Sequence, residues 1–284
     1  MRAATPRNAS KGRFDKAFAG SGLEGRWAKL HKGDREAYPN AARVTRLAKH
    51  QPKFSEWVDA HGGAGEVADG LQEAWRRFHS GRFADAIASG GKLGALGATV
   101  ANKAAAIHSL EVDGEEAGRL LGAAVTRGER AVELLPDEPN AHYMLALALG
   151  RHSQRISIVK ALADGVATRV RTHLDTTLRL EPRHAEAHIA LGLYHAEIVA
   201  KIGSLLAGLT YQASREKAMD HFRQAVKLTP GSPIAQIEYA NGLLLLDAGK
   251  YRKQADELYA RAAAIEPADA MEQLDVGRAQ RCLR

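Results

Sequence analysis

Four times the chain runs through a short amphipathic phrase that stops on proline: AVELLP at 131–136, TLRLEP at 177–182, AVKLTP at 225–230 and AAAIEP at 262–267. The prolines are 46, 48 and 37 residues apart. Proline has no N–H to carry a helix onward, and it pushes the residue before it toward extended backbone, so each phrase reads as a helix end. A phrase of fixed form at a roughly fixed period marks a chain of repeated units, each burying its apolar face against its neighbours.

Composition points the same way. Hydrophobic residues make up 45% of the chain but aromatics only 6%, leaving a core of Ala, Leu, Val and Ile. Such side chains let helix axes approach closely. No apolar–polar alternation longer than four residues signals a strand. The expectation is an all-α chain with helix pairs near 66–95, 97–135, 139–181, 184–229 and 233–266. The run His61-Gly62-Gly63-Ala64-Gly65 breaks the pattern. It divides a disordered basic arm (1–25) and an N-terminal helical extension (26–64) from a repeat domain (65–284), closed by a capping helix around Ala270–Val276.

Ahead of Pro230 stand Ala218, Phe222 and Ala225, and ahead of Pro267 stand Ala255, Tyr259 and Ala262. Val170, Leu174 and Thr177 precede Pro182, and Ala124, Gly128 and Ala131 precede Pro136. Small residues where helices touch, a large apolar one between them and a closing proline resemble the tetratricopeptide repeat (TPR) motif. Leu191-Gly192, Leu145-Ala146 and Tyr239-Ala240 stand where its first helix carries Leu-Gly. The resemblance implies a TPR-like α-α superhelix of about five antiparallel helix pairs. An ordinary unit has about 34 residues, so spacings of 46 and 48 imply some long helices. The run Ile156, Val159, Leu162, Val166, Val170, Leu174, Leu178 keeps one face and reads as one of them. Ala141-His142-Tyr143-Met144-Leu145-Ala146, the segment Ile156-Ser-Ile-Val-Lys-Ala-Leu162 and Ala187-His188 before Leu191-Gly192 resemble, more narrowly, the divergent repeats of the regulator of microtubule dynamics family. That resemblance covers about half the chain and implies the repeat subtype rather than an activity.

The formal charge of +7 is uneven: residues 1–53 hold thirteen Lys or Arg against four acids, so the repeat body is nearly neutral. A neutral body points away from nucleic acid, though the arm could touch phosphates or an anionic membrane. The Arg- and Ser-rich start superficially resembles a transit peptide as well as a plain arm. Cys282 is the single cysteine, so no intrachain disulfide forms, and no stretch of eighteen apolar residues offers a membrane span. Both fit a cytoplasmic protein.

Three sets of residues bear on function. His184, His188 and His195 share a helix face and either hold a metal or pack half-buried. Arg151-His152-Ser153-Gln154-Arg155 interrupts the apolar pattern and either offers Arg forks to a carboxylate or phosphate or forms a solvated bend. Carrying over the TPR groove face gives Asn140, Tyr143, Leu147 and Arg151; Glu186, Ile189, Leu193 and Glu197; and Ile234, Ile237, Asn241 and Leu244. These bind an extended or helical peptide if the face is open and serve as core if the helices curl in. No nucleophile motif or phosphate-binding Gly loop occurs. The expectation is a non-catalytic, cofactor-free adaptor for a protein partner, with a metal- or small-ligand-binding protein as the alternative.

Overall fold

The computed structural model describes residues 14–49, 52–155 and 165–284, and among them no strand occurs. Two compact units divide the chain, one of Met1–Lys29 with Glu36–Lys160, the other of Leu30–Arg35 with Ala161–Arg284. The break near 160 differs from the boundary expected at 64, because helices on both sides of that glycine run share one core.

The first unit opens with a 3₁₀ turn, Asp15–Phe18, and α1, Gly22–Leu30, whose final residue is counted with the second unit. It continues through α2 (Ala41–Ala48), α3 (Pro52–Ala60), α4 (Gly63–His79), α5 (Phe83–Gly91), α6 (Ala98–His108), α7 (Gly114–Leu134) and α8 (Pro139–Ser153). The disordered arm expected up to residue 25 is corrected over 14–25, where Phe14, Phe18 and Leu23 are buried. They join an aromatic cluster in which Trp27 meets Trp75 edge-on at 5.6 Å and Phe18 meets His79 at 5.4 Å. Aromatic rings bury the most area per side chain, so a scarce aromatic set gathered here can anchor an otherwise short, basic segment. Residues 1–13 lie outside the described residues.

The second unit holds α9 (Val166–Leu180), α10 (Ala185–Ile202), α11 (Ser204–Tyr211), α12 (Arg215–Leu228), α13 (Pro233–Ala263) and α14 (Ala270–Cys282). Within α13, Asp247 departs from helical geometry, with φ −169° and ψ 94°. Its carboxylate accepts the Lys250 N–H at 3.0 Å, the capping bond that starts a new helix. The chain reverses there: the Tyr259 hydroxyl reaches Asn241, 18 residues earlier, which a straight helix would hold ~27 Å away. The last unit is thus an antiparallel pair with a one-residue corner. The helix α14 follows it, started by Asp269 accepting the Glu272 N–H at 2.8 Å. Arg278 ties it down by reaching Glu238 and Asp275, both at 3.4 Å.

Three of the four proline phrases fold alike; ahead of Pro267 the helix closes on Ala264 in αR geometry instead. Leu135, Glu181 and Thr229 end their helices with φ of −133°, −137° and −136°. Each donates its N–H four residues back, to Ala131, Thr177 and Ala225. Three residues on, the N–H of Glu138, His184 or Ser232 returns to the carbonyl of Leu135, Glu181 or Thr229, closing a tight turn. The proline carbonyl in that turn is claimed by a side chain six residues later. His142 Nε2 reaches Pro136 at 2.8 Å, His188 Nε2 reaches Pro182 at 3.2 Å, and Gln236 Nε2 reaches Pro230 at 3.2 Å.

Two further expectations change. The run from Ile156 to Leu178 is not one helix, because Gly165 precedes α9 at φ +64°, in the left-handed region. Its part over 156–164 lies outside the described residues. The extra length of 184–229 does not add turns to both members of the pair but forms a separate short helix, α11, cut off by Gly203 at φ +78°.

Glycines admit close helix contacts in both units. Phe222 of α12 is 0% exposed and lies between α10 and α13. A Cβ on Gly192 would sit 2.6 Å from its ring, and one on Gly242 would sit 2.3 Å from it. The glycine expected to admit a partner helix at 192 does so, and Gly242 does it from the other side. In the first unit Gly128 plays the same part against Leu145, whose Cα would stand 3.1 Å from an added methyl. Alanine usually stabilises a helix over glycine by about 1 kcal/mol. Here Gly242→Ala is expected to destabilise the chain by about 1–3 kcal/mol through overpacking. Chemical denaturation of wild type, Gly242→Ala and the double variant with Phe222→Leu checks this, the double variant recovering part of the loss.

Candidate functional site

The face expected to line a groove is largely used inside the chain. Ile189 packs with Ala225 and Ala235, Ile237 sits in the main core of the second unit, and Leu193 lines both clusters. Tyr143 is buried. Glu186 packs against Gly33 and takes that residue's carbonyl on its own N–H at 3.2 Å. Glu197 pairs with Lys201 at 3.2 Å. Asn241 donates to Glu238 at 2.8 Å and accepts from Tyr259. Arg151 is half-buried at the end of α8. The open groove is therefore corrected for Asn140, Tyr143, Ile189 and Ile237, all four buried by neighbouring elements.

The polar string at 151–155 finishes α8. Ser153 Oγ donates to the Gly150 carbonyl at 2.8 Å, and the Gln154 N–H also returns to Gly150. Arg155 reaches across to the Gly114 carbonyl at the start of α7, at 2.7 Å. Among the described residues His152 Nδ1 is buried and meets no hydrogen-bond partner. Arg155 thus binds a backbone oxygen, and Ser153 and Gln154 close the helix end.

The histidines do not gather as a single face. His184 is the N-cap of α10, its Nδ1 accepting the Ala187 N–H at 3.0 Å. His188 instead meets His221 of α12, Nδ1 to Nδ1 at 2.9 Å, and His221 stacks on His195 with ring centres 5.7 Å apart. Among the described residues no group of three or more His, Cys, Asp or Glu is placed to hold a metal ion. The hydrogen bonds fix the protons. His188 must donate from Nε2 to the Pro182 carbonyl, so its Nδ1 is bare and accepts the Nδ1 proton of His221. Charging both rings would turn two N–H groups on one another. Burial lowers the pKa of His188; burial, with His221 and Lys217 adding, pushes His195 down to about 4. Burial and His188 likewise push His221 down to about 4.

An opening to solvent lies in the first unit. Val44, Leu47, Leu71, Trp75, Ala95, Leu96 and Leu135 wall a cleft of about 520 Å³ including its mouth, with Thr99 on its side. At its polar end Arg43 Nη2 lies 2.7 Å from Glu138 and 3.2 Å from Glu36, while Asn140 Nδ2 donates to the second Glu36 oxygen at 2.7 Å. Burial alone would lower the Arg43 pKa, but the two carboxylates outweigh it and hold the guanidinium charged. Of this set only Asn140 is marked in the sequence. Glu36 and Arg43 precede the first proline phrase by some ninety residues or more, and no local pattern links them to Glu138.

His195 and His221 set a pH dependence. Their folded pKa values lie below the unfolded value near 6.5, so the unfolded chain takes up protons first and stability falls as pH drops from 6.5 toward 4. Discounted for solvent screening of the half-exposed His221 ring, the expected loss at pH 5 is on the order of 2 kcal/mol for the two together. Thermal unfolding of the full chain at pH 7.5 and 5 checks it, with His221→Asn flattening the dependence.

The model of the family described as "Regulator of microtubule dynamics protein 1-3" matches residues 98–281, from the start of α6 to the end of α14. No curated protein matches the chain. A solved structure of TTC0263, a thermophilic TPR protein in Thermus thermophilus, is similar at 18% identity and a TM-score of 0.55, over 76% of this chain and 99% of that one. A monomeric mutant of IFIT1 with Gppp-AAAA matches at 18% identity over 85% of this chain and 59% of that one, with a TM-score of 0.39. The first likeness shows the fold and the second carries no argument. Repeated proline turns, glycine-seated rings and a family match over well more than half its length place this chain in the regulator of microtubule dynamics protein 1-3 family.

Proposed function

We propose that this chain is a non-catalytic, TPR-type adaptor that holds a protein or peptide partner. The observation that carries the reading is the set of antiparallel helix pairs joined by proline turns with the same hydrogen bonds, an architecture that presents fixed side chains along successive helices. With the inner face of the pairs used as core, the cleft beside α2, α4 and α6 is the surface best suited to a partner. Its half-buried Leu47, Leu96 and Thr99 suit an apolar side chain, and its Glu36–Arg43–Glu138 end suits the partner's backbone or a polar neighbour. The basic N-terminal segment would speed approach of an acidic partner.

Affinity purification from a native lysate, with the full chain and with Leu47→Ser/Leu96→Ser, tests this reading. A stoichiometric protein held by the wild type and at least tenfold depleted with the variant is expected. Equal retention by a folded variant would remove the cleft, and no partner with either would remove the adaptor.

A further inference from the structure

The helix α11 is the most apolar exposed element of the second unit. Its Leu205 and Leu209 are 76% exposed and Leu206 is 56% exposed, while Ala207 points inward at 0%. The helix is held from its inner side and its ends. Ala213 donates its N–H to the Ala207 carbonyl at 3.0 Å, Arg171 of α9 reaches the Tyr211 carbonyl at 3.0 Å, and Lys217 reaches the Gln212 carbonyl at 2.9 Å. The leucines stand on a braced turn rather than a loose loop. An element inserted into the repeat that keeps three leucines in water at a folding cost calls for an occupant.

Charge and area indicate which one. From Ile198 to Arg215 the sequence has no acid, and its only charges, Lys201 and Arg215, are cations. Arg171 and Lys217 add two more at the C-terminal end of α11; Lys201 and Arg171 have acidic neighbours in Glu197 and Asp175. Leucines flanked by Lys and Arg, with Tyr211 half-buried beside them, match the boundary between lipid headgroups and acyl chains. A second copy of the chain fits less well. Three leucine side chains offer on the order of 200–350 Å² of apolar surface, against roughly 800 Å² per partner in a stable dimer. A bilayer sets no such minimum, because it accepts leucines one at a time. Among the described residues no helix is long and apolar enough to cross a membrane, so the contact is superficial.

We propose that α11 docks this chain on an anionic lipid surface, with Leu205, Leu206 and Leu209 entering the headgroup boundary. The attachment is weak and reversible.

Flotation of the full chain with vesicles of phosphatidylcholine, with or without phosphatidylserine, tests the docking. Expected is binding to the phosphatidylserine vesicles, at least tenfold weaker for Leu205→Ser/Leu206→Ser/Leu209→Ser. Because these side chains are solvated, the variant should keep the wild-type circular dichroism and unfolding midpoint. In the unaltered protein, slower amide exchange confined to α11 on adding the vesicles reports the same contact. No binding by the wild type overturns the proposal. So does full binding by the leucine variant, which would assign attachment to the basic N-terminal segment. A wild-type dimer in analytical ultracentrifugation that the substitutions dissociate overturns it as well, since the leucines would then cover a second copy.

Discussion

A proline that ends a helix leaves its own carbonyl at a corner where the next helix folds back over it. An oxygen half-shielded in that way must find a donor or destabilise the turn by about 1–3 kcal/mol. Three corners of this chain solve the problem alike, with a side chain six residues after the proline, in the first turn of the following helix, donating to the proline oxygen. The donor is histidine twice and glutamine once, so the requirement is an N–H at that place and not an imidazole. The helix pairs take their angle from these corners. Everything packed between them, including Phe222 between its two glycines, depends on the angle being kept.

That requirement also explains the histidines. His142 and His188 look like candidate ligands when set beside their neighbours, but each has its Nε2 committed to a proline carbonyl. His184 caps a helix and His195 packs beneath His221. What is chemically distinctive among the described residues is a half-buried pair of neutral rings, His188 and His221, with one shared proton. Neutrality there is a condition of the α10–α12 contact, in the same way that charge is a condition of the Glu36–Arg43–Glu138 bridge.

Much of the architecture was legible in the chain because its signals are local. Proline phrases, Leu191-Gly192 and the small residues around Phe222 and Tyr259 report packing that happens within one helix pair. Helix ends fell where the prolines place them. The misses have the opposite character. Phe14 and Phe18 are ordered by Trp27, Trp75 and His79, and nothing near residue 14 announces those rings. The apolar run through Val166 has helical spacing, but one left-handed glycine at 165 interrupts it, and periodicity is blind to a single φ. The cleft brings together residues 95 and 104 positions apart, beyond the reach of any motif. Of the two readings open for the groove face, peptide surface or core, the second holds for Ile189 and Ile237, which meet α12 and its neighbours.

Corners built alike carry a hazard during folding. If one turn resembles another, a newly formed helix can settle against the wrong neighbour, as tandem repeats do when they misassemble. The contacts between helices break that degeneracy. Among the described residues only α12 brings a phenylalanine to a seat cut from two glycines, and only α7 offers a bare glycine to the backbone of Leu145. A helix placed out of turn would drive a ring into a methyl group or leave a void. The turns are interchangeable and the seats are not, so the order of the helices is written in their contacts.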